Sequence, residues 1–343
     1  MMEDELVRRR GWLSREKFLD LLGASNLIPG PSSSELAIHI GYLCGGWRGL
    51  LIAGVCFIFP AVAMVTAIGW LYVRFGKLPA TAGVLYGIKP VVIAVILQAL
   101  WSLGRTAIKT RFLAFVGIAS LFLSLLGLHP LLLLLLAGVA GCAPHTRPSQ
   151  LSVLVSSTVG AGGLATSFSL ASLFLVFLKI GTVVFGSGYV LLAFLHADLV
   201  AHRGWLTDAQ LLDAVAVGQV TPGPVFTTAT FIGYFLGGIR GAIVATVGIF
   251  LPAFVLVAAS GPLIPRLRKS KVASAFLDGV NVASMALMCA VSWQLARASL
   301  TDAATITLAL ASLFLLLRYR LNSIWLVLIG AVMGLIMNSH HLP

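Results

Sequence analysis

Two short stretches of this sequence carry the residue types best suited to binding a ligand. Residues 26–35 read Asn-Leu-Ile-Pro-Gly-Pro-Ser-Ser-Ser-Glu, and residues 219–228 read Gln-Val-Thr-Pro-Gly-Pro-Val-Phe-Thr-Thr. In each stretch the first proline ends an incoming helix, because it lacks an N–H and clashes with the preceding turn. The second proline suits the first position of a new helix. The pattern therefore predicts a helix, a break and a second helix.

Such a break has the chemistry of a small anion site. Backbone N–H groups at the start of a helix have no intrahelical partner, and they form the positive end of the helix dipole. Hydroxyl side chains follow both breaks, and the equivalent amides Asn26 and Gln219 precede them. These groups predict an oxyanion cradle. The alternative interpretation is that each break only shapes helix packing.

The composition indicates a membrane protein. Of the 343 residues, 59% are hydrophobic and 10% are charged, and the mean hydropathy is +1.02. A soluble domain carries about 25% charged residues, so we expect a polytopic all-α membrane protein. The net charge of +12 is explained by Lys and Arg in cytoplasmic loops, and we expect no nucleic-acid partner.

The elements that must position the two breaks occur twice. Residues 11–13 (Gly-Trp-Leu) match 204–206, and the two Pro-Gly-Pro motifs align at the same offset of 193 residues. At an offset of 192, matches continue from Gly41 and Gly233 to Arg105 and Arg297. The chain is therefore predicted to be a tandem duplication. The predicted domains are a first repeat at 1–143, a linker at 144–166 and a second repeat at 167–343.

The predicted elements follow from hydrophobic length and helix breakers. They are re-entrant hairpins at 14–45 and 207–236, and nine spanning helices near 48–74, 85–105, 112–127, 129–143, 167–195, 240–262, 276–298, 302–318 and 322–338. With the N-terminus in the cytoplasm and both hairpins non-crossing, most of the 23 lysines and arginines lie inside, as the positive-inside rule requires. The repeats are then inverted, as in secondary transporters. If each hairpin crosses once, the repeats are parallel.

Charged and amide side chains in apolar stretches are the other candidates, because a charge inside the membrane costs roughly 2.5–3.5 kcal/mol on insertion scales. Lys179 is either a binding cation or a side chain that reaches the interface. Lys89 and its repeat partner Asn281 either face a cavity or lie at the interface. Glu35 and His39 are candidates for proton coupling; the alternatives are a carboxylate in a first helical turn and a packing histidine.

Catalytic chemistry has no support in the sequence. We find no Ser/His/Asp set and no nucleotide loop, and the four cysteines show no metal-ligand spacing and no disulfide framework. The sequence therefore predicts neither an enzyme nor a cofactor or metal site.

Several motifs resemble the chromate transporter family. They are Gly-Trp-Leu followed by Pro-Gly-Pro, then Ile-Gly-Tyr-x-x-Gly-Gly-x-Arg-Gly in both halves, and Phe-Leu-Lys-Ile-Gly-Thr-Val-Val-Phe-Gly-Ser-Gly-Tyr at 177–189. The resemblance covers nearly the whole chain. It implies a two-domain transporter in the bacterial inner membrane that exports chromate and confers resistance, with a link to the isosteric sulfate. It also implies a first helix carrying Phe-Gly-Gly, for which the first half has no counterpart ahead of residues 11–13.

We therefore expect a secondary transporter of a tetrahedral oxyanion, most readily chromate. An anion channel, a carrier of another oxyanion such as sulfate, and an inactive truncated paralogue are the alternatives. The lipid bilayer and the oxyanion are the predicted partners, and a homodimer is a candidate assembly. The predicted substrate-binding residues are Asn26, Pro29, Gly30, Pro31, Ser32, Ser33, Lys89, Lys179, Gln219, Pro222, Gly223, Pro224, Thr227, Thr228 and Asn281.

Overall fold

A computed structural model describes residues 4–9, 11–25, 30–76, 78–143, 168–184, 188–260, 270–319 and 321–339. Regular structure in these ranges is helical, without a strand. The helices are α1 (Arg15–Ser25), α2 (Ser32–Phe75), α3 (Pro79–Ala107), α4 (Arg111–Leu125), α5 (Pro130–Cys142), α6 (Leu170–Val183), α7 (Leu191–Leu195), α8 (Asp208–Val220), α9 (Thr228–Ser260), α10 (Lys271–Ser299), α11 (Ala303–Tyr319) and α12 (Ser323–Ser339). Short π-helical segments (Asp4–Arg9, His196–His202) and 3-10 turns (Gly188–Val190, Val225–Thr227) complete them.

The outer surface of the helices is apolar. Trp47, Phe59, Phe115 and Ile118 are each more than 60% exposed, as expected of side chains that face lipid. Four helical stretches are long and apolar enough to cross a membrane, and six shorter apolar helices accompany them. The chain is thus a multi-pass membrane protein, and the predicted number of about nine spans stays a prediction.

Helix α2 contains a sharp reversal at Gly45 and Gly46, where the backbone leaves helical geometry (φ 57°, ψ −143° at Gly46). A Cβ atom built on Gly41 would overlap the carbonyl oxygen of Gly49, although residues eight apart in a straight helix are about 12 Å apart. The two arms of α2 therefore fold against each other. The first arm belongs to the predicted hairpin at 14–45, and the second arm is the predicted span at 48–74.

Helix α9 reverses in the same way at Gly237 and Gly238 (φ 60°, ψ −151° at Gly238). A Cβ atom built on Gly233 would overlap the Gly241 carbonyl oxygen and would lie 2.7 Å from the Cβ of Ala245. Both reversals place a glycine in a backbone conformation that other residues avoid. The same turn thus occurs at positions that the sequence aligns.

The helices on either side of residues 144–167 are interleaved. Helices α4 and α5 of the N-terminal half (4–143) pack on α10 of the C-terminal half (168–339), whereas α11 and α12 of the C-terminal half pack on α3 of the N-terminal half. Helices α2 and α9 pack against each other. Each half therefore supplies principal neighbours of the other half's second long helix, which is α3 in the N-terminal half and α10 in the C-terminal half. The predicted linker at 144–166 lies outside the described residues.

Small residues permit the closest of these crossings. A Cβ on Gly87 of α3 would overlap the carbonyl oxygen of Gly330 on α12, and a Cβ on Gly279 of α10 would overlap the carbonyl oxygen of Ala137 on α5. Membrane helices associate through such close backbone packing, because lipid provides no hydrophobic driving force between them. One large buried cluster unites both halves, with Leu133, Phe177 and Phe226 fully buried.

Three predicted helix boundaries are wrong by five residues or more, and one of them is the start of the helix predicted at 276–298, which begins at Lys271. The helix predicted at 167–195 ends at Val183, because Val184 is extended (ψ 112°) and its carbonyl oxygen accepts a hydrogen bond from outside the helix. The helix predicted to begin at residue 85 begins at Pro79, which occupies its first turn. Lys89 therefore lies in the middle of α3 rather than near its start.

The reversal in α2 yields a matched pair of substitutions. We expect Gly46→Ala to lower the free energy of unfolding by about 1–3 kcal/mol, because alanine at this positive φ is strained. Gly45→Ala should change it by less than about 1 kcal/mol, since φ at Gly45 is −142°. A Cβ at either position meets no atom within 4 Å, so only backbone strain distinguishes them. Thermal unfolding in detergent measures both, and equal losses would contradict the assignment of strain to Gly46.

Candidate functional site

The first hairpin tip begins at Gly30, whose φ of 137° favours glycine. Its N–H donates a hydrogen bond to the carbonyl oxygen of Val184 at 2.8 Å. Pro31 follows in extended conformation, and α2 starts at Ser32. The Ser34 hydroxyl donates to the Pro31 carbonyl oxygen at 3.0 Å. The predicted helix start after the second proline is confirmed, whereas Asn26 and Pro29 lie outside the described residues.

The second hairpin tip repeats this arrangement. Pro224 is extended, a single 3-10 turn follows, and α9 begins at Thr228. The Thr227 hydroxyl donates to the Pro224 carbonyl oxygen at 2.9 Å, as Ser34 does at the aligned position. The predicted ligand Thr227 therefore uses its proton within the tip. Its neighbours Pro222 and Gly223 are exposed and Pro224 is buried.

The two tips contact each other's long helices. A Cβ built on Gly30 would lie 3.7 Å from the Cβ of Ala253 in α9, and a Cβ built on Gly223 would overlap the side chain of Ala61 in α2. Ala61 and Ala253 are equivalent at the 192-residue offset. These contacts are reciprocal, as expected for two related units that face each other.

The segment after α6 connects the tips. Val184 accepts the hydrogen bond from Gly30, and a Cβ built on Gly188 would lie 3.3 Å from the Cβ of Val225 at the second tip. The sequence singled out glycines in this segment but could not identify the Val184 carbonyl group, because a backbone acceptor leaves no signature in the residue type.

Two polar side chains at the second tip are buried and unsatisfied. Gln219 is 9% exposed and Thr228 is 1% exposed, and neither the Gln219 amide nitrogen nor the Thr228 hydroxyl has a hydrogen-bond partner among the described residues. The Tyr189 hydroxyl donates to the Gln219 amide oxygen at 3.2 Å, which orients the amide. A small cavity lined by Gly188, Tyr189, Val225 and Thr228 adjoins them.

The first tip carries acid and base groups instead. Glu35 is fully buried, and neither of its carboxyl oxygens has a partner in the described part of the chain. A Cβ on Gly30 would overlap this carboxyl group, whose carbon would lie 3.3 Å away. His39 is 4% exposed with its Nε2 atom unsatisfied, and it lies one helical turn further along the same face. Glu35 and Thr228 occupy aligned positions, so the two tips differ in chemistry.

Lys89 is paired with an acid rather than directed to a tip. Its ammonium group lies 3.3 Å from Asp213 Oδ1, and the Tyr72 hydroxyl donates to Asp213 Oδ2 at 2.8 Å. Asp213 is 3% exposed. Neither Asp213 nor Tyr72 was among the predicted site residues; the need of an intramembrane lysine for an acid was the available signal. Asn281, at the position aligned with Lys89, is half-buried on α10.

Lys179 is also paired, with the nearly buried Asp198 of the following π-helical segment. The ring of His129 lies 6.1 Å from that of His202 nearby. The structure thus gives both intramembrane lysines, Lys89 and Lys179, aspartate partners.

The predicted ligands Ser32 and Ser33 lie at the first tip. Ser32 is half-buried and Ser33 is exposed.

No group of three or more His, Cys, Asp or Glu in the described ranges could hold a metal ion. What the two tips offer is a pair of buried polar positions within a helical membrane protein, one with neutral donors and one with a carboxyl group. Neutral donors at a helix start can hold an anion without a permanent charge. A buried carboxyl group can hold and release a proton.

Comparison with known proteins identifies the family of the chain. The sequence matches the family model described as "Chromate transporter" over residues 1–142 and 171–335. A "Chromate transport protein" of Cupriavidus metallidurans is 32% identical over 343 residues, which cover 97% of this chain and 86% of the relative. A "Probable chromate transport protein" of Synechococcus elongatus is 31% identical over 349 residues, which cover 98% and 89%. The "Uncharacterized transporter YwrA" of Bacillus subtilis is 30% identical over 145 residues, which cover 41% of this chain and 82% of that protein.

No solved structure matches the chain. The family model nevertheless spans both halves, and relatives above 30% identity align over nearly the full length. The chain therefore belongs to the chromate transporter family.

Proposed function

We propose that this protein is a secondary transporter that exports chromate across the bacterial inner membrane and thereby confers chromate resistance. Its family and relatives support chromate transport in general. The observation that carries the proposal is the second tip, where the Gln219 amide nitrogen at the end of α8 and the Thr228 hydroxyl at the start of α9 are buried without partners among the described residues. A buried donor without a partner costs about 1–3 kcal/mol, so a bound acceptor is the natural explanation.

A tetrahedral oxyanion suits these donors. It presents several acceptor oxygens, and the start of α9 adds backbone N–H groups and a favourable dipole. Sulfate has the same shape and charge, so we propose that it competes with chromate. The prolines at the two breaks have no N–H, and the Gly30 N–H is already bonded to Val184, so we assign them to shaping the tips. Ser32, Ser33 and the N–H group of Gly223 are proposed to complete the site when the tips approach each other.

Alternating access is proposed to arise from two inverted repeats, bounded at 1–143 and 167–343. The reciprocal contacts of Gly30 with Ala253 and of Gly223 with Ala61 support two related units, as do the matching reversals in α2 and α9. The half-length relative YwrA covers 41% of the chain, which agrees with a duplicated unit. The excess of Lys and Arg in one set of loops supports a cytoplasmic N-terminus and inversion. Rocking one repeat against the other would then expose the site to each side in turn.

Proton coupling is proposed at Glu35 and His39. An ionised carboxyl group buried without a partner is very costly, so the conformation described here favours the neutral acid. A conformation that exposes the first tip would hydrate Glu35 and allow its proton to leave. His39 is proposed to relay that proton, because its unsatisfied Nε2 atom lies one turn away on the same helix.

Chromate accumulation in cells tests the function and the second tip together. Cells that express this chain should accumulate less chromate than empty-vector cells, and added sulfate should weaken the difference. Thr228→Val keeps the side-chain volume and removes the hydroxyl. It should reduce export about tenfold to a hundredfold, the equivalent of about 1.5–3 kcal/mol for a hydrogen bond to a charged group.

Thr66→Val provides the matched control for this prediction. Thr66 lies on α2, and its hydroxyl donates to the Val62 carbonyl oxygen at 2.7 Å, so export should be retained. Wild-type cells that accumulate as much chromate as empty-vector cells, despite normal membrane expression, would contradict chromate export. Equal export by wild type and Thr228→Val would contradict the site at the second tip alone.

Reconstituted vesicles test proton coupling. An imposed pH gradient should accelerate chromate flux through the wild-type protein. It should not change chromate flux through the Glu35→Gln variant, because the amide cannot exchange a proton. Exchange of chromate for chromate without a gradient should persist in Glu35→Gln, which separates a carrier with lost coupling from a misfolded protein. Glu16→Gln, on the exposed surface of α1, should behave as wild type. A gradient response retained by Glu35→Gln would rule out this role.

A further inference from the structure

The pair of Lys89 with Asp213 connects the two halves inside the protein. Lys89 on α3 and Tyr72 on α2 belong to the N-terminal half, and both direct their polar groups at the carboxylate of Asp213 on α8 of the C-terminal half. The atoms are separated by 3.3 and 2.8 Å respectively. A cation and a hydroxyl group that converge on one carboxylate form an anion-binding arrangement, and in this structure the protein's own acid fills it.

An open cleft reaches this carboxylate. It has a volume of about 340 Å³ between α2, α3 and α8, and its wall includes Tyr72, Thr81, Asp213 and Val220. The rest of the wall is almost entirely apolar. From Asp213 to Val220 the cleft follows α8 for about 10 Å, at 1.5 Å per residue. Because Val220 immediately precedes the second break, the cleft leads from the ion pair towards the second tip.

We propose that Lys89 and Tyr72 form a second anion-binding station, and that Asp213 is a built-in counter-anion which the transported oxyanion must displace. This inference rests on the transport function proposed above. A dianion that arrives through the cleft takes over the Lys89 ammonium and the Tyr72 hydroxyl, and the Asp213 carboxylate rotates away from Lys89. One anion replaces another, so Lys89 keeps a negative partner throughout the exchange.

The exchange gives the station a role in conformational change. Asp213 is the member of this cluster that comes from the C-terminal half, so its release breaks an ionic contact between the halves when the oxyanion arrives. The position aligned with Lys89 is Asn281, and the amide carries no charge to repeat the arrangement. The station therefore has its cation at Lys89 and has no equivalent cation at the aligned position 281.

Removing the counter-anion should strengthen anion binding. Suppose that Asp213 occupies Lys89 at least nine-tenths of the time. Removing the Asp213 charge then lowers the apparent Kd for the displacing anion about tenfold or more. We would titrate purified protein in detergent with sodium chromate at constant ionic strength, and with sodium sulfate as a second probe. The unfolding midpoint rises as the anion binds the folded protein, so this measurement needs no transport. Asp213→Asn should show the tenfold lower Kd together with slower transport.

A second ion pair between the halves supplies the control. Lys109 and Asp278 lie 2.7 Å apart on the surface, and neither lines the cleft beside Asp213. Asp278→Asn should leave the chromate titration at the wild-type Kd. If Asp213→Asn also keeps the wild-type Kd while wild-type cells export chromate, the station is wrong and the transport function stands. If Asp213→Asn binds chromate tightly but wild-type cells do not export it, the station stands as an anion site and export is wrong.

A double variant covers the case in which Asp213→Asn leaves Lys89 unpaired and the protein does not fold. Lys89→Gln with Asp213→Asn leaves no uncompensated charge, so it should accumulate in the membrane. Because it lacks the cation of the station, its KM for chromate should be at least about tenfold above wild type. Lys109→Gln with Asp278→Asn should retain the wild-type KM. A double variant at positions 89 and 213 with an unchanged KM would overturn the proposal.

Discussion

The hydrogen bond from the Gly30 N–H to the Val184 carbonyl oxygen meets a constraint that governs the whole fold. A break in a helix within a membrane frees backbone groups that lipid cannot satisfy, so the protein must supply their partners. At the first tip, the Val184 carbonyl group just after the end of α6 accepts the hydrogen bond from the Gly30 N–H just before α2. The sequence did not predict that α6 ends at Val183. Its end makes the Val184 carbonyl group available to the first hairpin. The two tips, the segment after α6 and the long helices α2 and α9 therefore contact one another.

Within this arrangement the two tips share a backbone but differ in chemistry. Ser34 and Thr227 close the same local hydrogen bond at aligned positions. The next residue is Glu35 at the first tip and Thr228 at the second, and both are buried without a partner in the described ranges. The two aligned tips thus place a buried acid in one half and a buried neutral donor in the other. Such divergence suits a carrier in which the driving ion and the cargo occupy different halves.

Much of this could be predicted from sequence because it depends on local chemistry. Pro-Gly-Pro specifies a helix start wherever it occurs, and the offset of 193 residues aligns the two tips by residue identity alone. The lysine partners could not be predicted in the same way. Tyr72 and Asp213 are separated by 141 residues, and their contact depends on which half α8 packs against. The predicted 167–195 helix was too long because apolar residues lie on both sides of Gly186-Ser187-Gly188, whereas the backbone becomes extended at Val184.

The interleaving of the halves also affects how the protein is made. Helix α3 leaves the ribosome before α10, α11 and α12 are synthesised, and these three pack on its surface. At ~5–20 residues per second, α3 waits roughly 10–40 s for α11. During that time the backbone around Gly83 and Gly87, which finally contacts Gly330 and Gly334, has only lipid or the insertion machinery beside it. The last two helices therefore complete the N-terminal half, so a nascent chain that stops before them leaves both halves unfinished in the bilayer.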